Sequence, residues 1–137
     1  MFRHHHTCVR LFVLLTVASM LAGCTLLSEP VYCTGSIEPG IVVRITEIGS
    51  GRPLAAGAKG VLRDGGFVDS LRPYGFTLDV DSLVMITRSG ANERTGEYQV
   101  DVLHPGYAPG SLTGIRVDRG PCHVNTRIVE VSLRPSG

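Results

Sequence analysis

The sequence has no tryptophan, one lysine and almost no excess of either charge. Thirteen basic residues stand against twelve acidic ones, a net charge of +1. Such a chain lacks the basic field that holds a phosphate backbone, so nucleic acid is excluded as a partner. Lys59 is the only lysine and the other twelve basic residues are arginine, which reads as genome composition rather than as an arginine-specific role. The missing indoles remove the flat ring most often used under a sugar. Zinc-peptidase spacing of the HExxH kind, a GxSxG nucleophile elbow and a phosphate loop are also missing. Asp79 and Asp81 in "LDVDS" fail as a calcium loop, because Val84 and Gly90 stand where an EF-hand places its glycine and its bidentate glutamate. The uncharged run Leu11–Met20 falls short of the roughly 20 residues needed to span a bilayer.

What is present begins with an address. "MFRHHHTCVR" carries Arg3 and Arg10 and no acid, and the apolar run follows it. A positive start, a short apolar run and small residues at a cut site make a secretory leader. The run ends in "LAGC", Leu21–Cys24. All four positions resemble the bacterial lipobox, and that resemblance implies cleavage between Gly23 and Cys24 and lipidation of the Cys24 thiol and amine. Two or three acyl chains anchor stably where a single one holds only marginally. Thr25 follows the cysteine, a pattern that implies the outer membrane in a diderm bacterium. The expected division is a lipoprotein signal peptide over 1–23, a lipidated tether over 24–38 and a folded domain over 39–137.

With Cys8 lost in the leader and Cys24 assigned to lipid, Cys33 and Cys122 remain, in an exported and oxidising compartment. A Cys33–Cys122 disulfide is expected, closing a loop of about 90 residues. It gives "GPCHVNT", where Cys122 and His123 adjoin, the reading of a clasp beside a surface or bridge-contacting histidine rather than a thiol–imidazole active site.

The body alternates apolar and polar residues in short runs. "IVVRITEI" offers Ile41, Val43 and Ile45 to one face and Arg44 and Thr46 to the other. "GEYQVDVL" offers Tyr98, Val100 and Val102, and "RIVEVSL" offers Val129, Val131 and Leu133. "KGVLRD", "FVDSL", "SLVMITR" and "TGIRVD" are shorter candidates, separated by the turn signals "GSGRP", "DGG", "SGANERTG" and "HPGYAPG". This period of two, with glycine and proline between the runs, predicts an all-β antiparallel Greek-key β-sandwich of about seven strands, preceded by a signal-peptide helix. "RPLAAGAKG" offers at most one helical turn, and "RPYGFTLDVDSLVMITRSGANE" is too irregular to assign register.

The stretches "VRITEIGSGRPLAAGAKGVLRDGGFVDSL" and "GEYQVDVLHPGYAPGSLTGIRV" together resemble the carboxypeptidase regulatory-like domain, a transthyretin-like sandwich, over roughly Ile41 to Leu133. Pro53, Leu54, Ala58, Gly96, Tyr98, Val100, Pro105, Gly106 and Tyr107 carry the resemblance. It speaks to fold and hardly to activity. The transthyretin-related hydrolases need a His/Arg-rich site and a C-terminal tyrosine-bearing tetrapeptide, whereas this chain ends "LRPSG". Physically, Tyr98 should bury its ring while its hydroxyl finds a partner, and Tyr107 should cap the open end of the core.

The functional expectation is therefore a membrane-anchored, non-enzymatic lipoprotein acting as an envelope interaction, scaffolding or adhesion module, with no cofactor, metal or catalytic residue. Its partners would be the membrane, through the lipid, and an unidentified envelope protein or glycan. The alternative is a glycan- or peptide-binding module, for which Tyr74 and Phe76 in "PYGF" are the candidate ligand surface. An enzyme is the remote third reading, and would have to work through His104 or His123.

Overall fold

The alternating runs do become strands. A computed structural model describes residues 30–79 and 82–137. The leader, Gly23 and Cys24, and Asp81 lie outside the described residues. The eight strands are β1 Ile41–Glu47, β2 Lys59–Asp64, β3 Phe67–Ser70, β4 Arg72–Asp79, β5 Ser82–Gly90, β6 Gly96–Leu103, β7 Gly110–Val117 and β8 Arg127–Leu133. They form two four-stranded sheets, ordered β4-β5-β1-β8 and β3-β2-β6-β7. After β1 the chain contributes a hairpin to each sheet in turn and returns with β8 to lie beside β1. The all-β sandwich is as expected.

The inner faces follow the period of two. Ile41, Val43 and Ile45 of β1, Leu62 of β2, Tyr98, Val100 and Val102 of β6, Ile115 and Val117 of β7, and Val131 and Leu133 of β8 form one buried cluster. Each fully buried aliphatic side chain is worth about 1.5–3 kcal/mol of hydrophobic transfer, before its share of the ordering cost. On the outer face of β1, the Thr46 hydroxyl bonds Glu130 Oε1 at 3.0 Å and lies 3.1 Å from Ser132 Oγ, lacing β1 to β8.

The structure departs from the sequence expectation in three places. First, β1 and β8 pair parallel, Ile41 opposite Arg127 through Glu47 opposite Leu133, so this sheet is not purely antiparallel. Both strands therefore start at the same end of the sandwich. Second, there are eight strands rather than about seven, because the irregular stretch contains β4. Pro73 is tolerated there because β4 is an edge strand, with no ladder donor needed on its open side. The β4–β5 register shifts on either side of Gly75. Third, "RPLAAGAKG" does more than make its single turn at Ala55–Gly57. Leu54 N–H donates to Ile45 O at 2.8 Å and Glu47 N–H to Arg52 O at 2.9 Å, so Arg52–Leu54 takes the edge of β1. β5 leaves β1 after the Arg44–Thr87 pair, and beyond it the β4–β5 hairpin continues with only its own two strands paired.

The two ends of the sandwich are closed differently. Leu54, Ala55 and Ala58 are buried at the end where β1 finishes. There Gly106, at φ 81, turns the chain after Pro105, and Tyr107 packs against the core as expected. At the other end Tyr98 buries its ring. Its hydroxyl donates to Arg94 O at 3.1 Å and accepts from Arg94 Nη1 at 2.8 Å. That guanidinium also bonds Asp64 Oδ2 at 2.6 Å and lies 4.0 Å above the Phe67 ring. Gly96 is needed beneath it, since a Cβ there would collide with Asp64 Oδ2.

Candidate functional site

Cys33 and Cys122 form the expected disulfide, with their Cα atoms 5.2 Å apart. The parallel β1–β8 pairing explains why it closes: the lead-ins to both strands lie at one end. His123 extends the clasp. Its Nδ1–H donates to Glu93 Oε1 at 2.7 Å, and its Nε2 lies 3.1 Å from Thr34 Oγ1. The carboxylate only accepts, which puts a hydrogen on Nδ1. Glu38 N–H donates to the same Glu93 oxygen at 2.8 Å, and Glu93 N–H donates back to Glu38 O at 3.0 Å. Glu93 itself stands at φ 52, a left-handed conformation that a glutamate adopts only when its surroundings over-determine it. The Glu38 amide, then the His123 imidazole, hold its carboxyl below the ordinary glutamate value. His123 is half-buried, and β8 begins four residues later at Arg127.

Hydroxyl, imidazole and carboxylate in series have the order of a nucleophile, its base and the group that orients the base. Here the series links three backbone segments: the lead-in to β1, the β5–β6 loop and the lead-in to β8. Its polar atoms are spent on that linkage, and the clefts described below lie elsewhere. His104 is likewise engaged. Its Nδ1–H donates to Pro105 O at 2.7 Å, its ring meets Tyr107 edge-on at 4.8 Å, and Gly57 leaves the room in which it sits. Arg52, bonded to Glu47 Oε2 at 2.9 Å and to the Tyr107 hydroxyl, completes that end and holds the Glu47 carboxyl below its ordinary value.

Tyr74 and Phe76 are 50% and 47% exposed. The register shifts around Gly75 interrupt the period of two between them, so spacing alone no longer gives them a common face.

The arrangement with the clearest chemistry is a notch that the sequence did not announce. β3 has only four residues, and beside its end a groove opens between β2, the end of β6 and the Arg88 side chain of β5. The resulting groove has a volume of about 410 Å³. Val61, Leu71 and Leu103 give it apolar walls, and Lys59, Arg63 and Arg88 bring three cations to it. Asp101 is the one carboxylate in its lining. Its carboxyl is held below the ordinary value, first by Gln99, at 2.7 Å, then by Ser111 at 2.8 Å and by Arg63. Arg88 is held from behind: Nε–H donates to Ala55 O at 2.7 Å, with Leu71 O and Ala56 O each 3.4 Å from its terminal nitrogens.

No protein-family model and no curated protein sequence matches the chain. Function has therefore to be argued from these sites. Sequence reasoning missed the notch because its cations come from β2 and β5, in different sheets. The one available signal was Lys59, the sole lysine, which reads as a by-product of composition until its neighbours are seen.

Proposed function

We propose that the protein is a lipid-anchored, non-enzymatic β-sandwich of the bacterial cell envelope, serving as an interaction module held close to its membrane, with a carboxypeptidase regulatory-like domain as its body. The observation that carries the reading is the clasp taken with "LAGC". Cys33 follows Cys24 by nine positions and is bonded to the body through Cys122. A tether of that length reaches at most about 30 Å when extended. Tyr32 and Ile37, 88% and 71% exposed, flank the clasp, and a tyrosine with a free apolar neighbour suits a membrane–water interface. The assignment to a non-enzymatic role is supported by the engagement of both histidines, His104 in a turn and His123 in the clasp, by structural partners. Changing Cys24 to Ser should move the protein from the membrane to the soluble fraction. Membrane retention with lipid still incorporated would overturn the anchor.

The second reading, a binding module for peptide or glycan, is favoured by one specific observation. The basic notch combines apolar walls with cations, and a purely structural spacer has no use for that combination. A single-turnover screen with ester and amide substrates separates both readings from an enzyme. Turnover abolished by His123→Ala in a still-folded protein would replace them.

A further inference from the structure

We propose that the notch at the end of β3 binds the free C-terminal carboxylate of a peptide whose last residue is apolar. The inference deepens the interaction-module reading and rests on it.

Charge complementarity points to the anion. Three cations line the notch against one carboxylate, and Asp101 is already committed to Gln99, Ser111 and, at 3.5 Å, Arg63. Two other clefts on the same sheet carry no excess of cations, one balanced and one acidic. One sets Glu97 and Asp118 against Arg116 and Arg119, and the other sets Asp64 and Glu97 against Arg63. Arg88 is preorganised for the task. Among the described residues its partners are three carbonyl oxygens and no carboxylate. A guanidinium has five N–H donors, so two remain, one on each terminal nitrogen. Those donors and the Lys59 ammonium suit a carboxylate, and the positions of the donors are set before the ligand arrives.

The walls point to what carries the anion. Val61, Leu71 and Leu103 offer an apolar seat, and Leu103 is 58% exposed. The backbone points to a chain end rather than a strand passing through. Leu71 N–H already takes Gly60 O at 2.9 Å, so the flank of β2 has no run of free ladder groups for strand addition. A ligand read by one carboxylate and one side chain matches a groove near the lower end of the roughly 300–1,000 Å³ usual for small-ligand sites.

The test uses the full-length protein in detergent micelles and four N-terminally fluorescein-labelled pentapeptides, followed by fluorescence anisotropy. The first ends Gly-Ser-Gly-Val-Leu with a free carboxylate. The second is its C-terminal amide, the third ends in serine with a free carboxylate, and the fourth is an amide with an internal aspartate. The first should bind saturably and at least about tenfold more tightly than the other three, the loss expected when charge-assisted hydrogen bonds or the apolar seat are removed. Lys59→Glu should weaken it by at least about tenfold while leaving the thermal midpoint unchanged, and Lys59→Met should fall between. Lys59 is exposed and, among the described residues, forms no salt bridge, so these variants report on the notch rather than on folding. Equal binding of acid and amide, no saturable binding of the acid peptide, or binding indifferent to Lys59→Glu would each overturn the proposal. Equal binding of the internal-aspartate amide would overturn the chain-end assignment. Chemical cross-linking of the native protein to envelope partners reads the module separately. Cross-links that persist while the peptides fail would defeat the notch and leave the module standing, and an absence of cross-links would defeat the module.

Discussion

Breaking the clasp should weaken the fold without dissolving it. The Cys33–Cys122 bridge spans 89 positions. In the chain-entropy model a loop of that length stabilises by about 4–5 kcal/mol, acting on the unfolded chain. Strain and residual structure in the unfolded chain commonly reduce such values, so about 2–4 kcal/mol is the expected loss. The native topology does not depend on the bridge. Arg127 N–H still donates to Gly40 O at 2.8 Å, the Thr126 hydroxyl to Pro39 O at 2.7 Å, and the β1–β8 ladder continues from there. A soluble form beginning at Pro30, in native and Cys33→Ser/Cys122→Ser versions, should therefore give the same β-rich circular dichroism. Its urea midpoint should fall with little change in slope, and at about 4–8 °C per kcal/mol its thermal midpoint should drop by roughly 8–32 °C. Two results would refute the reasoning. A shift equivalent to less than about 0.5 kcal/mol would mean that the bridge constrains nothing the unfolded chain could lose. Loss of the β spectrum in the absence of denaturant would mean that the parallel ladder cannot form without it.

The clasp also carries a pH dependence. The Glu93 carboxyl is held below its ordinary value by the Glu38 amide first and by His123 second. A depressed folded pKa stabilises above the unfolded value, and that contribution is lost as pH falls from about 4.5 through the lower folded value. Glu93→Gln should thus flatten the acid limb of stability against pH, and an unchanged limb would show that other carboxyls carry it. Tyr98→Phe removes the hydroxyl that joins both the carbonyl and the guanidinium of Arg94. It should cost about 1–2 kcal/mol by denaturant titration, while a neutral result would mean that the hydroxyl does no more than water would. Gly96→Ala forces a methyl against Asp64 Oδ2 and should disrupt the Asp64–Arg94 pair, destabilising by about 1–3 kcal/mol. An alanine tolerated there without loss would contradict the packing.

Most strands were legible because one side of each faces the core. β6 alternates cleanly, while β1 keeps the period in Ile41, Val43 and Ile45 with Val42 and Thr46 also buried, and β8 keeps it in Val131 and Leu133 with Val129 only partly buried. β4 was illegible because Pro73 and Gly75 look like breakers, and an edge position that tolerates them is a tertiary fact. The parallel sense of β8 was hidden for a similar reason: alternation reports which side is buried, not which neighbour a strand takes or in which direction. The disulfide was legible through compartment and cysteine count. The rest of the clasp was not, since Glu93 lies in "SGANERTG", which reads locally only as a turn. The notch was hidden twice over. It exists where a strand stops, and it joins Lys59 to Arg88 across the two sheets.

The central claim is that the chain is processed at Cys24 and held to a membrane by lipid there. Intact mass measurement of the native protein extracted from membranes tests it most directly. The account predicts a chain beginning at Cys24 and heavier by a diacylglyceryl group and an amide-linked acyl chain, with Cys33 and Cys122 joined. A chain that retains Met1, or begins elsewhere with an unmodified Cys24 thiol, would contradict it.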